Sequence, residues 1–403
     1  MRQFTFYCTK TLRKTFNPVR KKDNFLVFGS PKIENNEIQE VVDTLKSTWL
    51  GTGPKVNLFE KEFNQYKGGE YYPVAVSSCT AALHLSLVAS GVTKGDEFIT
   101  TPLTFCATIN AIIHAGGVPV LADIDPVTYN IDPAEIEKKV TEKTKAIVIV
   151  HLNGRCCEME KIKMIAENHN LKIIEDCAHA IESEHKGKKA GTFGDFSCFS
   201  FYVTKNLTTA EGGMILAKSK EDANRLKTLA LHGLSNDAWK RYSDEGYKHY
   251  LVTECGFKYN MTDLQAAIGI HQLRRIEGNW ERRKEIWDFY QNSLSSFPVR
   301  TPAEVPNGDK HGYHIFNILV DDKLCGINRD QFLNEMTRHN IGVGVHYLSI
   351  PEHPFYQNQL GWKASDYPHA KTVGRQTVSL PLSAKLSDKD IEDVVKAVSQ
   401  ILA

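Results

Sequence analysis

Short apolar runs recur along the middle of the chain, and each is followed by a stretch in which apolar residues return every three or four positions. The runs at 97–101, 118–122, 146–152 and 171–175 predict strands, and the stretches at 104–115, 133–139 and 157–168 predict helices. Runs without polar alternation are apolar on both faces, so they predict a mostly parallel sheet covered on both sides by helices. Upstream, Ser30-Pro31 reads as an N-cap and first helical residue, leading Ile33, Ile38, Val41, Val42 and Leu45 along one face. A glycine-containing loop at 49–54 and a second helix to about Tyr66 follow. Downstream come a strand at 214–217 and helices at 221–231, 263–277 and 280–294. An α+β pattern closes the chain, with strand 314–320, helix 329–339 and helix 388–402. The reading divides the chain into a large α/β domain, 27–280, and a smaller α+β C-terminal domain, 281–403.

Charge changes this picture mainly at the start. Arg2, Lys10, Arg13, Lys14, Arg20, Lys21 and Lys22 face the single acid Asp23, with no apolar core of a signal peptide, so residues 1–26 read as a basic, disordered extension. The net charge is +1, which gives no argument for nucleic acid or an anionic membrane as partner. No apolar run is long enough to span a bilayer. The nine cysteines are scattered and form no Cys-x-x-Cys, which points to a reducing cytoplasm and to neither a disulfide framework nor a metal site. The polar loop 232–254, with Trp239, Lys240 and Arg241, is long for an idle connection and reads as a binding or subunit-contact loop.

Candidate chemistry gathers where apolar strands end. The stretch 196–213 begins as an aromatic strand, breaks at Lys205-Asn206 and closes on Gly212-Gly213. A lysine there either closes an edge strand with its ammonium in solvent, or is buried as a neutral amine able to take up an aldehyde. The strand ending at Glu175-Asp176 leaves Asp176 at the carboxyl edge of the sheet, where functional groups of open α/β sheets collect. A lysine and such an acid are what pyridoxal phosphate (PLP) chemistry requires, although a strand-end acid is also an ordinary cap. In Ser77-Ser78-Cys79-Thr80 a strand turns directly into an Ala/Leu-rich helix. Its free N–H groups suit a phosphate, and equally an ordinary Ser/Thr cap. Phe105, opening its helix, is a candidate to lie against a planar ring or simply to fill the core.

Taken in order, the segments 49–54, 77–84, 101–110, 150–154, 175–180, 199–206, 211–213 and 256–263 resemble the DegT/DnrJ/StrS family of PLP-dependent nucleotide-sugar aminotransferases. The resemblance runs from about residue 27 to the C-terminus and implies the PLP-dependent transferase fold type I. It implies that Lys205 is the Schiff-base lysine and proton shuttle. Asp176 would pair with the pyridine nitrogen, Phe105 would stack on the ring and His179 would lie near the ring hydroxyl. Ser78, Cys79, Thr80 and Ser200 would hold the phosphate. Lys258 would reach the phosphate of the neighbouring subunit's cofactor in a homodimer with shared sites. Thr52, Asn206 and His346 are carried over to the substrate side, His346 being equally readable as a packed histidine.

The implied reaction moves an amino group from L-glutamate, through pyridoxamine phosphate, to a nucleotide-linked keto-sugar for amino-sugar or surface-glycan synthesis. The family pattern frequently has glycine at positions 79 and 210 and tyrosine at 153, where this chain has Cys79, Ala210 and Asn153. Asn153 is expected to alter the substrate pocket. Two alternatives stand beside this reading: transamination of a non-sugar cyclic ketone, and a PLP-binding regulatory protein without turnover.

Overall fold

A computed structural model of the chain describes residues 17–234 and 249–402. Most of the polar loop 232–254 and most of the basic extension therefore lie outside the described residues. Strands β1 (Tyr72–Val76), β2 (Glu97–Thr100), β3 (Val118–Leu121), β4 (Thr144–Val150), β5 (Lys172–Asp176), β8 (Phe196–Ser200) and β9 (Gly213–Ala217) form one sheet. Its order is β1-β9-β8-β5-β4-β2-β3. Neighbours from β3 to β8 run parallel, and β9 is antiparallel to both β8 and β1. The fold is thus the fold type I architecture expected, a mostly parallel sheet covered by helices. Between β5 and β8 lies a small hairpin, β6 (Glu184–His185) with β7 (Lys188–Lys189).

The apolar runs become strands because both faces of the sheet are covered. On one side the helix Cys79–Ala89, buried on nearly every face, packs with Val76, Phe98, Val148, Phe196 and Ile215. On the other, Ile147, Ile149 and Ile173 meet Ile162 and Ile165 of the helix Met159–His169. Gly213, which opens β9, admits no side chain, since a Cβ there would lie 2.6 Å from the carbonyl group of Ser78. That approach sets the return strand directly against the start of the Cys79–Ala89 helix.

A second core lies at the C-terminal end. Strands β10 (Phe316–Leu319) and β11 (Thr377–Leu380) pair antiparallel. Phe316, Trp287, Tyr290, Phe332 and Val394 fill the space between them and the helices Ile276–Leu294, Arg329–Arg338 and Asp388–Leu402. The helix Ile276–Leu294 runs through residue 280, where the sequence suggested a boundary. No described helix is long and apolar enough to cross a membrane.

Two expectations near the start are corrected. The described part of the extension, from residue 17, is held in place. Arg20 is buried and ion-paired with Asp390 (2.7 Å) and Asp393 (3.0 Å), and Leu26 joins the C-terminal core. The first helix starts at Asn35 rather than at Pro31, because Glu34 and Glu37 form a capping box. Glu37 is buried there against Arg275 and accepts from Gln272 at 2.8 Å, while the carbonyl of Ser30 accepts from Ser383.

Candidate active site

The carboxyl ends of β5 and β8 and the start of the Cys79–Ala89 helix open onto one cavity of about 450 Å³. Ser78, Cys79, Thr80, Phe105, Asp176, His179, Ser200, Lys205 and His346 all line it. These nine come from five separate stretches of sequence, brought together because parallel strands end at the same edge.

Asp176 closes β5 and is 5% exposed. One carboxylate oxygen accepts from the Thr108 hydroxyl at 2.9 Å, the other from the Ala178 amide at 3.1 Å. Burial pushes this carboxyl above its ordinary range, while those two bonds and the charge of Lys205 pull the other way. Lys205 lies five residues beyond the end of β8 at Ser200. Burial lowers its amine to about 8, with the Asp176 charge opposing the shift. The cavity therefore holds an amine that gives up its proton readily, together with a carboxylate that accepts from two donors among the described residues.

At the other end of the cavity, Ser78 caps the Cys79–Ala89 helix, its hydroxyl accepting from the Ala81 amide at 3.1 Å. The N–H groups of Cys79 and Thr80 in the first turn are left for a ligand, and the helix dipole favours an anion there. Phe105, 57% exposed, stands at the N-cap of the helix Cys106–His114 and lines the cavity, its ring tilted against Tyr347 at 5.8 Å.

Three imidazoles surround the lysine. Burial first, then the charge of Lys205, hold His179 and His314 well below the usual histidine range and His346 at about 4. His179 receives the Asn153 amide on Nδ1 (3.2 Å) and meets the Tyr347 hydroxyl with Nε2 (3.1 Å). His346 Nδ1 lies 2.8 Å from the Ser379 hydroxyl, and its ring stacks on Phe28. Asn153 adopts φ 60°, a conformation asparagine tolerates, and binds Asn317 at 2.8 Å. It does not line the cavity, so its influence on a ligand passes through His179.

Three expected residues lie elsewhere in the single chain. Asn206 turns away from Lys205 and spends its amide on Glu182 (2.9 Å) and the Gly312 carbonyl (2.8 Å), with its oxygen accepting from His314 (2.9 Å). Glu182 is in turn ion-paired with the buried Arg283. Thr52 donates to the Met261 carbonyl at 2.5 Å and accepts from Asn260 at 2.7 Å, beside a separate groove that also includes Trp49 and Leu231. Lys258 is exposed, its backbone bridged to Leu231.

Sequence reasoning missed Thr108, Glu182, His314 and Tyr347. Thr108 carried a signal, since it follows Thr104 by one helical turn and the two hydroxyls meet at 2.9 Å. Tyr347 adjoins His346 in sequence and could have been weighed with it. Glu182 and His314 carried none that spacing could reveal. Beside the cavity, His151, Glu175 and Cys177 converge, but Glu175 there accepts from His151, Ser197 and the amides of Gly191, Phe193 and Gly194. Burial would push that carboxyl up, and these bonds hold it below its ordinary value as a structural anion.

Comparison with known proteins matches residues 31–399 to the model of the DegT/DnrJ/EryC1/StrS aminotransferase family. The spore coat polysaccharide biosynthesis protein SpsC of Bacillus subtilis is 46% identical over 385 residues, which is 95% of this chain and 99% of that protein. An assigned sugar aminotransferase of Streptococcus pneumoniae, solved with pyridoxamine phosphate, superposes with a TM-score of 0.88 at 32% identity over 93% of this chain and 98% of its own. PseC of Helicobacter pylori, an aminotransferase in pseudoaminic acid biosynthesis, does so with a TM-score of 0.86 at 27% identity, over 94% and 99%.

Proposed function

The chain belongs to the DegT/DnrJ/EryC1/StrS aminotransferase family and is a PLP-dependent enzyme, and on that premise we propose that it transfers the amino group of L-glutamate to a nucleotide-linked keto-sugar. The observation that carries this reading is the pairing, in one cavity, of an amine lowered to about 8 with a buried carboxylate, at the N-terminus of a helix. The names of two similar proteins, one in spore coat polysaccharide and one in pseudoaminic acid biosynthesis, support a sugar as acceptor.

The residues fit the cofactor. The backbone of Gly213 lies against Ser78 and the Cys79 amide with no room for a Cβ, so no side chain from the return strand crowds the helix start that suits a phosphate. Asp176 offers a buried negative charge to a ring nitrogen, and Phe105 an apolar face to a ring. PLP supplies the carbonyl that takes up the amino group and the ring that accepts its electron pair. In this reading Lys205 would hold the cofactor through its amine and move the proton between Cα of the amino donor and C4′ of the cofactor. Ser78, Cys79, Thr80 and Ser200 hold the phosphate with the helix amides. His346, neutral and held by Ser379, stands on the substrate side. Lys258, outside its own cavity, is free to reach the partner subunit's phosphate, which makes the working unit a homodimer. Asn206 acts behind Lys205 through Glu182 and His314 rather than on substrate.

The visible spectrum of the holoenzyme, read before and after L-glutamate and then with a panel of ketones, tests the proposal. Glutamate should bleach the colour and a nucleotide-linked keto-sugar should restore it. Restoration only by a cyclic ketone without a nucleotide, or no bleaching by glutamate, would refute it.

A further inference from the structure

Tyr347 lines the cavity between His179 and Phe105, its ring stacked on His179 at 6.0 Å. The hydrogen bonds around His179 have a direction. A backbone amide can only donate, so the Asn153 N–H at 3.2 Å requires a lone pair on His179 Nδ1. Burial and the charges nearby keep this imidazole uncharged, which leaves its single proton on Nε2. That proton points at the Tyr347 oxygen, 3.1 Å away, and makes the phenol the acceptor. The phenol's own proton is thereby turned away from His179.

We propose that Tyr347, polarised by His179, donates a hydrogen bond to the phenolic oxygen of bound PLP. The inference rests on the reading that the cofactor occupies this cavity with its ring oxygen on the His179 side. His179 then acts at one remove as a positioning residue, since Asn153 and Tyr347 use both of its nitrogens. A hydroxyl that already accepts a bond is the stronger donor, so the order His179, Tyr347, ligand is cooperative. Lys205, Asp176, Cys79, Cys106, His314 and His346 are the other titratable groups around the pair. Burial keeps the two further imidazoles uncharged and pushes the two thiols up, so neither competes as a charged donor or acceptor.

The test compares wild-type, Tyr347→Phe and His179→Gln holoenzymes by titrating their visible absorption from neutral to alkaline pH. A donor on the ring oxygen favours the form that has lost its last shared proton, so it lowers the midpoint of the colour change. Tyr347→Phe should therefore raise that midpoint by about one pH unit, the scale of one charge-assisted hydrogen bond. His179→Gln keeps an N–H toward Tyr347 and should stay close to wild type. The melting temperature of cofactor-free Tyr347→Phe, which retains the ring, should match that of the wild type. An unmoved midpoint in Tyr347→Phe overturns the inference, as does a shift confined to His179→Gln, which would give the contact to the histidine. An effect seen only as a raised KM for the ketone would move Tyr347 to the substrate and overturn it equally. A wild-type protein that takes up no PLP would instead refute the reading of the cavity itself.

Discussion

Replacing Thr108 by valine removes one hydroxyl and keeps the shape of the side chain. The hydroxyl has a single proton, and the Asp176 carboxylate 2.9 Å away takes it. Thr104, 2.9 Å on the other side, must then donate to Thr108. Thr104, Thr108 and Asp176 are all buried, so the valine variant breaks two bonds and leaves the Thr104 hydroxyl and one carboxylate oxygen without partners. A bond to a charged acceptor contributes about 1.5–3 kcal/mol and a neutral one about 1 kcal/mol, so cofactor-free Thr108→Val should lose about 2.5–4 kcal/mol when Asp176 is ionised. With Asp176 protonated both lost bonds are neutral, and the loss should fall to about 1–2 kcal/mol.

The pH dependence has a definite sign. Asp176 keeps its proton to a higher pH in the folded chain than in the unfolded one, so its contribution to stability falls as pH rises through its titration. Removing a donor lifts that titration further and deepens the fall. For a chain of this length roughly 1 °C of melting temperature corresponds to 1 kcal/mol, so differential scanning should show a deficit of about 2.5–4 °C at mildly alkaline pH and of only about 1–2 °C at acidic pH. Thr108→Ser, which keeps the hydroxyl, should recover most of it. An equal deficit at both pH values, or a serine variant as unstable as valine, would show that no charged acceptor is involved.

Lys205 in the cofactor-free protein should react with an amine-directed reagent with a midpoint near pH 8, since burial lowers it to about 8. Lys205→Ala should lack that phase and all amine transfer, and a midpoint near that of an ordinary lysine would refute the assignment. Glu182→Ala leaves the buried Arg283 without its carboxylate and should cost about 3–5 kcal/mol in urea unfolding, a loss under about 1 kcal/mol contradicting the pairing. Ala210 is exposed at φ 67°. Ala210→Gly relieves a left-handed penalty of about 1–2 kcal/mol against about 0.5–1 kcal/mol of added chain entropy, so unfolding should show a net gain, and a net loss would argue against strain there.

The sheet was legible because its central strands are buried on both faces and read as plain apolar runs, such as Ile147-Val148-Ile149. Lys205 and Asp176 could be read as partners because each follows such a run, and strand ends share one edge. The first helix was misread because a proline suggested its start, whereas a buried glutamate and its arginine fixed it four residues later. Thr108 and Tyr347 act through the groups they face across the cavity, and nothing in their own neighbourhoods announces those partners. Asn206 adjoins Lys205 in sequence but points to Glu182 and His314, a direction that only the packing of β10 and its approach decides. Arg20 looked like part of a loose cationic arm because its acids lie at the far end of the chain.

That distance has a consequence for synthesis. Arg20 and Asp390 are 370 residues apart, and the amide of Leu26 bonds to the carbonyl of Asn340. At about 5–20 residues per second, the segment around Arg20 waits roughly 20–75 s after leaving the ribosome before its acids are made. The large sheet, by contrast, has all its strands once residue 217 has emerged. Vectorial folding would thus complete the sheet first and draw the N-terminal strap down last. The nascent chain carries an arginine without its acids, and Leu26 without its core, until the final helix is released.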